Sequence, residues 1–467
     1  MKVLFIYHFE FHEPLGIMQL SAFLKQHGHA CYFIDLALQK DYAAEIKKIC
    51  PDIIAYSLTT GTHSFYQMFN RRLKKQMDFV SVFGGPHATF FPEFIDEDGV
   101  DVVCIGEGEY PLLELADALE GGRDYTAIAN LWVKRKSDIH RNEVRPLIGN
   151  LDTLPFADRE LVNKYAHYRK MHGRIMLSGR GCPYSCAYCF NESYRQLYKG
   201  KGAVVRKRSV ENVILELKAV LEKYRPWRFK FVDDIFILDT QWCLEFCARY
   251  AKEVRIPFFI HTRLNLLTEE VVSGLQRAGC MSMMFAIESG NDYIRNKVLQ
   301  RNMSEAQIVQ GARLLRQYGI KAQSNNMVGI PDETLEMAFE TIRLNIRCKP
   351  DYAWCSLLRP FPRTRIWQYC KDKNYLGTQE AGETFYRKST LRILKRRQFE
   401  NLHHLFSLMV AFPVLLRFAR PLINLPLGRA YYFIWHAHRL WCYVFKIRHL
   451  DISDLFIREE KQARYAN

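Results

Sequence analysis

The chain has 467 residues, of which 48% are hydrophobic and 25% are charged, so it is long enough for about two or three domains with buried cores and is not intrinsically disordered. Its net charge of +16 is uneven, because 12 Lys or Arg and one acid between residues 387 and 448 contribute +11 of it. The N-terminus lacks the basic, apolar and small-residue regions of a signal peptide. The thirteen cysteines therefore predict metal ligands and buried thiols of a cytoplasmic protein, and they favour these roles over a disulfide framework.

Residues 1–150 alternate short apolar runs with helical patterns, which is typical of a doubly wound parallel sheet. The predicted strands are KVLFIYHF, HACYFIDL, DIIAYSL, DFVSVFGG and DVVCIGEGE, and NLWVKRKSDIHRNEVRPLI predicts a hairpin after them. Glycines follow the strand ends at Gly16, Gly84, Gly85, Gly106 and Gly108. Any one of them is explained equally well by a tight turn. As a set they favour a nucleotide-like ligand beyond the carboxyl ends of the strands.

A linker and a second α/β segment follow. Residues 151–170, with LDTLPFADRELV, are predicted to be the linker. Six apolar runs then predict the parallel strands of a partial β/α barrel over residues 171–380: RIMLSG, RFKFVDDIF, FFIHTR, MSMMFAIESG, QSNNMVGIP and YAWCSLL. Residues 381–467 lose this alternation and become helical, aromatic and basic. The predicted fold class is therefore α/β, with a Rossmann-like domain, a partial TIM-like barrel and a helical C-terminal region.

Three cysteines carry the clearest chemical signal. The segment SGRGCPYSCAYCFN places Cys182, Cys186 and Cys189 directly after a predicted barrel strand. Thiolates are ligands of iron–sulfur clusters, and three of them leave one iron of a 4Fe-4S cluster open to chelate a small molecule. A structural zinc site needs a fourth Cys or His, and none follows within the next twenty residues. The spacing therefore predicts a 4Fe-4S cluster.

This spacing, with Gly181 before the first cysteine and Tyr188 before the third, resembles the radical S-adenosylmethionine (SAM) superfamily. Nine segments resemble its cobalamin-dependent branch, in the family's order: EPLGIMQLSAFLKQHGH, FGGPHATFFPE, VDVVCIGEGE, LDTLPFADR, GRGCPYSCAYC, FVDDIF, RLNLLTEE, AGCMSMMFAIESGND and NMVGIPDET. The resemblance implies an N-terminal cobalamin domain. It also implies a barrel in which the cluster, reduced by an external donor such as flavodoxin or ferredoxin, cleaves SAM to a 5′-deoxyadenosyl radical.

The resemblance further implies which barrel residues bind SAM. The backbone around Tyr188 is expected to meet the adenine, and polar groups at strand ends are expected to bind the ribose, amine and carboxylate. These residues are Asp233, Asp234, Arg263, Glu288 and Gly329. A barrel-mouth salt bridge or a helix cap is the alternative role for each acid, and substrate binding is the alternative for Arg263.

For cobalamin, the resemblance implies contacts in four loops of the first domain. They are formed by Leu15, Gly16, Ser57, Leu58, Thr59, Gly84, Gly85, Pro86, His87, Gly106, Glu107 and Gly108. Small residues at strand ends supply the backbone donors and flat surface that a corrin needs. The Asp-x-His-x-x-Gly motif of histidine-ligated cobalamin proteins is absent, because a glycine follows His12 only at position 16. We therefore expect cobalt without a histidine ligand from the protein.

Four functions are compatible with these features. The first is methyl transfer to an unactivated carbon of a small or lipid-like molecule, and the second is a cyclisation, rearrangement or oxidation with the same cofactors. The third is a methylthiotransferase with a second cluster at Cys31, Cys50 and Cys104, but Cys31 and Cys104 lie in apolar strand runs where buried thiols are normal. The fourth is a binding module with an inert cluster. Product mass distinguishes the first two.

The C-terminal region is predicted to contain amphipathic helices over residues 390–450 that contact a membrane surface or hold a lipid-like substrate. Its longest apolar run, residues 405–416, has 12 residues and contains Pro413, whereas a spanning helix needs about 20. Arginines and aromatic residues interleave after it, as at a lipid headgroup layer. The alternative is a helical cap on the barrel. We expect no nucleic-acid partner, because long aliphatic runs do not suit an RNA-binding patch.

Overall fold

The computed structural model describes residues 1–8, 13–377 and 389–447. The chain divides into two compact units. The first consists of Met1–Gly179 and Ser193–Asn212, and the second of Arg180–Glu192 and Val213–Asn467. His12, the histidine whose sequence context lacks the cobalt-ligand motif, lies outside the described residues, and so do the last residues of the predicted C-terminal helices.

A seven-stranded sheet forms the centre of the first unit. Its strands are β1 (Lys2–Tyr7), β2 (Ala30–Asp35), β3 (Ile53–Ser57), β4 (Val80–Gly84), β5 (Val102–Cys104), β6 (Leu131–Arg135) and β7 (Asp138–Arg141). They lie in the order β2-β1-β3-β4-β5-β6-β7. The first five are parallel, and the last two form an antiparallel hairpin. The predicted doubly wound sheet and hairpin are confirmed.

Helices cover both faces of this sheet. They are α1 (Leu15–Gln26), α2 (Tyr42–Ile49), α3 (His63–Lys74), α4 (Gly85–Phe90), α5 (Glu109–Glu120), α6 (Glu160–Asn163) and α7 (Ala166–Arg169), with 3-10 turns at Pro92–Asp96 and Leu151–Thr153. The parallel strands are mostly apolar because each face of the sheet has its own core: on β1, Val3 and Phe5 pack in one cluster, and Leu4 and Ile6 pack in the other. Only the strand ends remain for a ligand.

The segment that contains the barrel's first predicted strand belongs largely to the first unit. It includes β8 (Gly173–Met176), β9 (Gly179–Arg180), α8 (Phe190–Leu197) and β10 (Arg206–Lys207). Within it, Tyr198 is buried in the core cluster that contains Leu4 and Ile6. This burial explains why residues 193–212, which lie in the predicted barrel segment, group with the N-terminal sheet.

Five parallel strands form the sheet of the second unit. They are β11 (Arg228–Phe231), β12 (Phe258–Thr262), β13 (Cys280–Glu288), β14 (Lys321–Val328) and β15 (Tyr352–Leu357), and each pairs with the next in chain order. Consecutive parallel pairing is the arrangement of a β/α barrel. The predicted barrel strands therefore form, and the first of them is β8.

Six helices alternate with these strands, and five of them begin at side-chain caps. The helices are α9 (Val210–Tyr224), α10 (Thr240–Glu253), α11 (Glu269–Arg277), α12 (Glu305–Gln317), α13 (Leu335–Cys348) and α14 (Arg365–Asp372), with a 3-10 turn at Leu264–Leu266 and a π turn at Tyr293–Val298. Asp239, Thr268, Ser304, Thr334 and Thr364 each accept a hydrogen bond from the amide three residues ahead. These caps satisfy amides that the helix leaves unpaired and fix where each helix starts.

The C-terminal region is helical, as predicted. It contains α15 (Arg396–Ala411), a 3-10 turn (Pro413–Phe418), α16 (Ala419–Asn424), α17 (Gly428–Trp441) and a π turn (Cys442–Lys446). The apolar face of α15, with Leu402 and Phe406, packs in one core cluster with Ala353 and Cys355 of β15. No helix among the described residues combines the length and apolar character that crossing a membrane requires.

Candidate active site

The cysteine loop follows β9 and is held by two backbone hydrogen bonds to distant segments of the chain. Cys182 and Cys186 are buried, and Cys189 is half-buried. The Ala187 amide donates a hydrogen bond to the Leu299 carbonyl at 2.9 Å, and the Ala187 carbonyl accepts one from the Ile366 amide at 2.9 Å. Two distant parts of the second unit therefore hold the loop in place between the second and third cysteines.

The three thiols lie near one another and form a donor set that suits a cluster. Burial, aided by the charges of Asp234, Cys189 and Cys186 and opposed by a backbone hydrogen bond at Tyr184, raises the pKa of Cys182 to about 11. Three thiols carried by one loop are a donor set that suits a 4Fe-4S cluster with one open iron.

Tyr188 is tied to two charged groups at the end of β13. Its hydroxyl donates a hydrogen bond to Glu288 Oε1 at 2.9 Å and accepts one from Arg301 Nη1 at 2.8 Å. Arg301 also donates to the Ala286 carbonyl at 2.6 Å. Burial raises the pKa of Glu288, while the positive charge of Arg301 opposes this rise. Glu288 has a φ of 66°, so this contact holds a side-chain-bearing residue in the strained left-handed region.

Arg263 follows β12 directly and lies against the cysteine loop. Its Nη1 is 3.7 Å from Cys186 Sγ, and its guanidinium carbon is 3.7 Å from the centre of the Tyr184 ring. Its Nη2 donates a hydrogen bond to the Arg301 carbonyl at 2.6 Å. The structure therefore places Arg263 next to a predicted cluster ligand.

The other predicted SAM residues also lie at or just beyond strand ends. Asp233 is buried and Asp234 is exposed, two and three residues after β11. Gly329 follows β14 with a φ of 71°. Its amide donates a hydrogen bond to Glu333 Oε2 at 2.7 Å. Glu333 and Arg301 were not among the predicted residues, because each acts through a contact that its local sequence does not reveal.

In the first unit, the four predicted cobalamin loops lie at one edge of the sheet. Leu15 and Gly16 begin α1 after β1, and Ser57, Leu58 and Thr59 end and follow β3. The remaining residues are Gly84, Gly85, Pro86 and His87 at the end of β4, and Gly106, Glu107 and Gly108 after β5. Strands β1, β3, β4 and β5 are parallel neighbours, so their carboxyl ends meet. The order reverses at β1 and β3, where such sheets bind ligands.

Two of these loops contact each other closely at Gly85. The Leu58 amide donates to the Gly84 carbonyl at 2.8 Å, and the Leu58 carbonyl accepts from the His87 amide at 3.0 Å. Gly85 has a φ of 86°, and a Cβ atom there would lie 2.8 Å from the Leu58 nitrogen. Gly16 differs, because a Cβ atom there would meet nothing within 4 Å. The exposed backbone at Gly16 therefore fits a large flat ligand such as a corrin.

His87 is packed within the protein. Its Nδ1 lies 3.1 Å from Thr60 Oγ1, and its ring stacks on that of His63 with centres 4.0 Å apart. Burial, aided by the charge of His63, lowers the pKa of His87 to about 4. His87 is therefore a neutral ring at physiological pH, with an internal partner.

The loop after β5 is supported by residues 193–212. The Tyr198 hydroxyl occupies the position where a Cβ atom of Gly106 would be, at 1.7 Å. The Glu107 carboxylate accepts hydrogen bonds from Arg206 Nη1 at 2.9 Å and from the Ile148 amide at 2.9 Å. Glu107 thus forms an internal ion pair with Arg206. Its side chain is occupied, so this loop can contact a ligand through its backbone. Sequence reasoning missed Tyr198 and Arg206, because they are about 90 to 100 positions away in the chain.

The cysteines that a second cluster would use are separated. Cys31 lies in β2 and Cys104 in β5, and burial raises their pKa values to about 11 and 12. Cys50 is exposed at the end of α2. These are the properties of isolated structural thiols.

The fold and the site together define a radical SAM enzyme with an N-terminal cobalamin domain. Two family descriptions match the chain: the B12 binding domain over residues 1–116 and the Radical SAM superfamily over residues 176–344. The chain is 31% identical over 375 residues to the uncharacterized methyltransferase PH0819 of Pyrococcus horikoshii, covering 78% of this chain and 80% of that protein. It therefore belongs to the cobalamin-dependent radical SAM enzymes, and the sequence-based prediction of the family is confirmed.

Two further proteins are similar. The anaerobic magnesium-protoporphyrin IX monomethyl ester cyclase of Cereibacter sphaeroides is 27% identical, over 77% of this chain and 60% of that protein. The structure of the radical SAM methyltransferase TsrM from Kitasatospora setae, with cobalamin and a 4Fe-4S cluster bound, superimposes with a TM-score of 0.69 at 17% identity, over 81% of this chain and 79% of that one. This likeness shows the fold.

Proposed function

We propose that this enzyme transfers a methyl group to an unactivated carbon of a small molecule. When bound, the cluster and SAM supply a 5′-deoxyadenosyl radical, and cobalamin supplies the methyl group. The observation that carries the proposal is the open three-thiol loop in a chain that also has a glycine-bearing ligand edge at a sheet switch point. The 31% identity to a protein named as a methyltransferase supports it.

The residues divide among the cofactors as follows. Cys182, Cys186 and Cys189 hold the cluster, and Arg263 supports Cys186 through its 3.7 Å contact. The SAM residues are Tyr188, Asp233, Asp234, Glu288 and Gly329. The four loops at the carboxyl edge of the first sheet hold cobalamin, without a histidine from the protein on cobalt. A reduced flavodoxin or ferredoxin supplies the electron that SAM cleavage requires.

The test is anaerobic turnover of the reconstituted holoenzyme with SAM that carries a deuterated methyl group. Candidate metabolite extracts are supplied, and the products are analysed by mass. We expect 5′-deoxyadenosine and a product that contains the labelled methyl group. An unlabelled product formed only with SAM would instead establish a cyclase or rearrangement, as in the Cereibacter relative. If no deoxyadenosine forms under strong reduction, the enzymatic proposal is wrong.

We also propose that the C-terminal helices contact an anionic membrane surface, through which a lipid-like substrate is reached. Of the eighteen large apolar side chains that are exposed among the described residues, nine lie between residues 412 and 445. Residues 401–447 contain five Lys or Arg and no acid. Exposed apolar area of this extent combined with positive charge matches a surface that lies among lipid headgroups.

The outward face of α17 and the turn after it shows the pattern most clearly. Phe433, Trp441 and Phe445 lie on one stripe at intervals of four or eight residues, and Arg429 begins it. Phe433 and Phe445 are 71% and 62% exposed. The opposite face of α17 is buried through Tyr431 and Trp435. One apolar face of α17 therefore packs on the protein. The exposed stripe is a second apolar face, and packing within the described residues does not account for it.

Flotation with liposomes tests this contact. We expect the full-length protein to float with vesicles of phosphatidylcholine and phosphatidylglycerol, and to bind them less as the salt concentration is raised. It should not float with vesicles of phosphatidylcholine alone. The double variant F433S/F445S is expected to lose binding. W227S is the matched control, because Trp227 is 62% exposed but lies outside the region. If F433S/F445S and the wild type bind vesicles equally, the membrane proposal is wrong and the C-terminal helices are only a structural cap on the barrel.

A further inference from the structure

Helix α14 joins the cysteine loop at its first turn. The Ile366 amide donates a hydrogen bond to the Ala187 carbonyl at 2.9 Å, and Ala187 lies between the second and third cysteines. The Arg365 guanidinium forms an ion pair with Glu192, which lies three residues after Cys189. A backbone hydrogen bond and an ion pair therefore fix the beginning of the helix to the chain on both sides of Cys189.

The other end of α14 is held by one carboxylate. Asp332 Oδ2 accepts a hydrogen bond from Lys373 Nζ at 2.7 Å, and Asp332 Oδ1 accepts one from the Tyr375 hydroxyl at 2.7 Å. The Tyr369 hydroxyl also donates to Oδ2. Tyr369 lies in the last turn of α14, and the other two residues follow the helix within three positions. Three side chains from this end of the helix thus converge on Asp332.

Asp332 belongs to the turn that follows β14. The next residue, Glu333, accepts hydrogen bonds from the Gly329 amide at 2.7 Å and from the Ile330 amide at 3.1 Å, so the turn is closed on itself. Asp332 has a φ of 62°, in the left-handed region that residues with a side chain rarely adopt. Such a conformation persists only where the surrounding contacts determine it, and the end of α14 supplies those contacts. The turn that carries Gly329 is therefore fixed to α14 through Asp332.

Buried apolar packing connects the same three segments. Ala187 of the cysteine loop, Ile330 of the turn, and Ile366 and Cys370 of α14 belong to one core cluster, and each is at most 3% exposed. Hydrophobic packing is non-directional, so it does not by itself fix the position of a helix along its axis. The polar contacts at the two ends of α14 fix it, because hydrogen bonds require particular distances and angles.

Asp332 makes these contacts as a charged group. Burial raises its pKa, but the hydrogen bonds from Lys373, Tyr369 and Tyr375 outweigh this effect and lower the pKa below its ordinary value. The carboxylate is therefore ionised at neutral pH. Hydrogen bonds to an ionised acceptor are stronger than those between neutral groups, so the loss of this one charge is expected to loosen the end of α14.

We propose that Asp332 is a positioning residue for SAM cleavage. Through α14 it holds the turn that carries Gly329 at a fixed place relative to the cysteine loop, so that the SAM site and the cluster site keep one relative position. The inference rests on the proposed function, because Gly329 and the three cysteines receive their roles there. It adds a residue that acts through a helix and not through contact with a cofactor.

Hydrogen exchange of the iron-loaded protein tests the link without SAM. In D332N, asparagine keeps the shape of the side chain and tolerates the left-handed region, but the charge is lost. We expect the Gly329 and Ile366 amides to exchange about fivefold faster or more. D351N is the matched control, because Asp351 also accepts from a lysine, Lys321, at 3.0 Å, but at the amino end of β14.

The two aspartates are also equally buried, since their side chains are 21% and 23% exposed. Unchanged exchange of both amides in D332N, or the same increase in D351N, contradicts the proposal. K373M provides a second variant, because it removes one partner of Asp332 through a side chain that is 46% exposed. If D332N fails to hold its cluster, wild-type exchange in K373M overturns the proposal.

SAM binding and cleavage provide the second test. We expect D332N to hold about four irons per chain, to bind SAM more weakly and to form deoxyadenosine on the order of tenfold more slowly. The electron paramagnetic resonance spectrum of its reduced cluster with SAM should differ from that of the wild type. Wild-type affinity, spectrum and rate in D332N would overturn the positioning role. If the wild type itself forms no deoxyadenosine, the proposed function is wrong, and the exchange result still decides whether Asp332 links the two loops.

Discussion

The Tyr188 hydroxyl and Glu288 Oε1 are joined by a 2.9 Å hydrogen bond. Tyr188 lies between the second and third predicted cluster ligands, and Glu288 is the last residue of β13. The bond therefore fixes the cysteine loop to a residue proposed to bind SAM. Arg301 donates to the same hydroxyl at 2.8 Å, so the phenol is both a donor and an acceptor in a buried site.

Replacing Tyr188 with Phe is expected to loosen this attachment without removing a cluster ligand. The Y188F variant leaves Arg301 with one unmatched donor in a buried site, which costs about 1–3 kcal/mol. We expect about four irons per chain, a lower thermal midpoint and slower deoxyadenosine formation. Iron analysis and a calorimetric scan of the anaerobic protein check this. Unchanged stability and rate would contradict a role for the hydroxyl.

Glu288→Gln tests whether Glu288 binds SAM or only holds the cysteine loop through Tyr188. The side-chain carbonyl oxygen that this substitution introduces can still accept from Tyr188, so the loop and the cluster content should be unchanged. The lost charge should weaken SAM binding if the carboxylate contacts the SAM amine. Equilibrium binding of SAM to the oxidised cluster form measures this effect. Equal affinity in E288Q and wild type would remove Glu288 from the SAM site.

Changing Cys182, Cys186 and Cys189 together to Ala should abolish iron and sulfide binding after anaerobic reconstitution. Each of the three is proposed to supply one thiolate, and the loop contains no other cysteine that could replace them. Cys280→Ala is the control, because Cys280 is a buried thiol at the start of β13. A full cluster in the triple variant would refute the central assignment.

Gly16→Ala tests the cobalamin edge. A Cβ atom at Gly16 meets nothing within 4 Å, so the apo-protein should fold with unchanged stability. If the corrin lies on this backbone, the methyl group should weaken cobalamin binding tenfold or more, on the order of 1.4 kcal/mol. Gly149→Ala is the control, since its Cβ position is equally open but lies outside the four loops. Spectroscopic titration measures both, and the bound spectrum should lack histidine coordination.

The His63–His87 stack predicts sensitivity to acid. Burial lowers the pKa of both rings, that of His87 to about 4, so the unfolded chain binds more protons than the folded one below pH 6.5. The stabilisation is fully present above pH 6.5 and is lost as the pH falls towards 4. We expect a loss on the order of 1 kcal/mol between pH 7 and 5. Denaturant unfolding should show a smaller loss in H63F, and an equal loss would disprove the stack's role.

The sequence by itself determined the elements and the chemistry that depends on local spacing. Alternating apolar runs predicted β1 to β5 and the barrel strands, because a strand buried on both faces must be apolar throughout. The spacing of Cys182, Cys186 and Cys189 predicted the cluster ligands, because the loop that carries them is continuous in the chain. Glycines at strand ends predicted the ligand edge of the first sheet, since parallel strands bring their carboxyl ends together.

Only the tertiary structure decided which side chains support those groups. Arg301 reaches Tyr188 across 113 positions, and Arg206 reaches Glu107 across 99. Residues 193–212 join the first unit because Tyr198 fits against Gly106, which has no side chain to exclude it. Such contacts join residues with no local pattern, so they are fixed only when the strands pack and burial requires each polar group to find a partner.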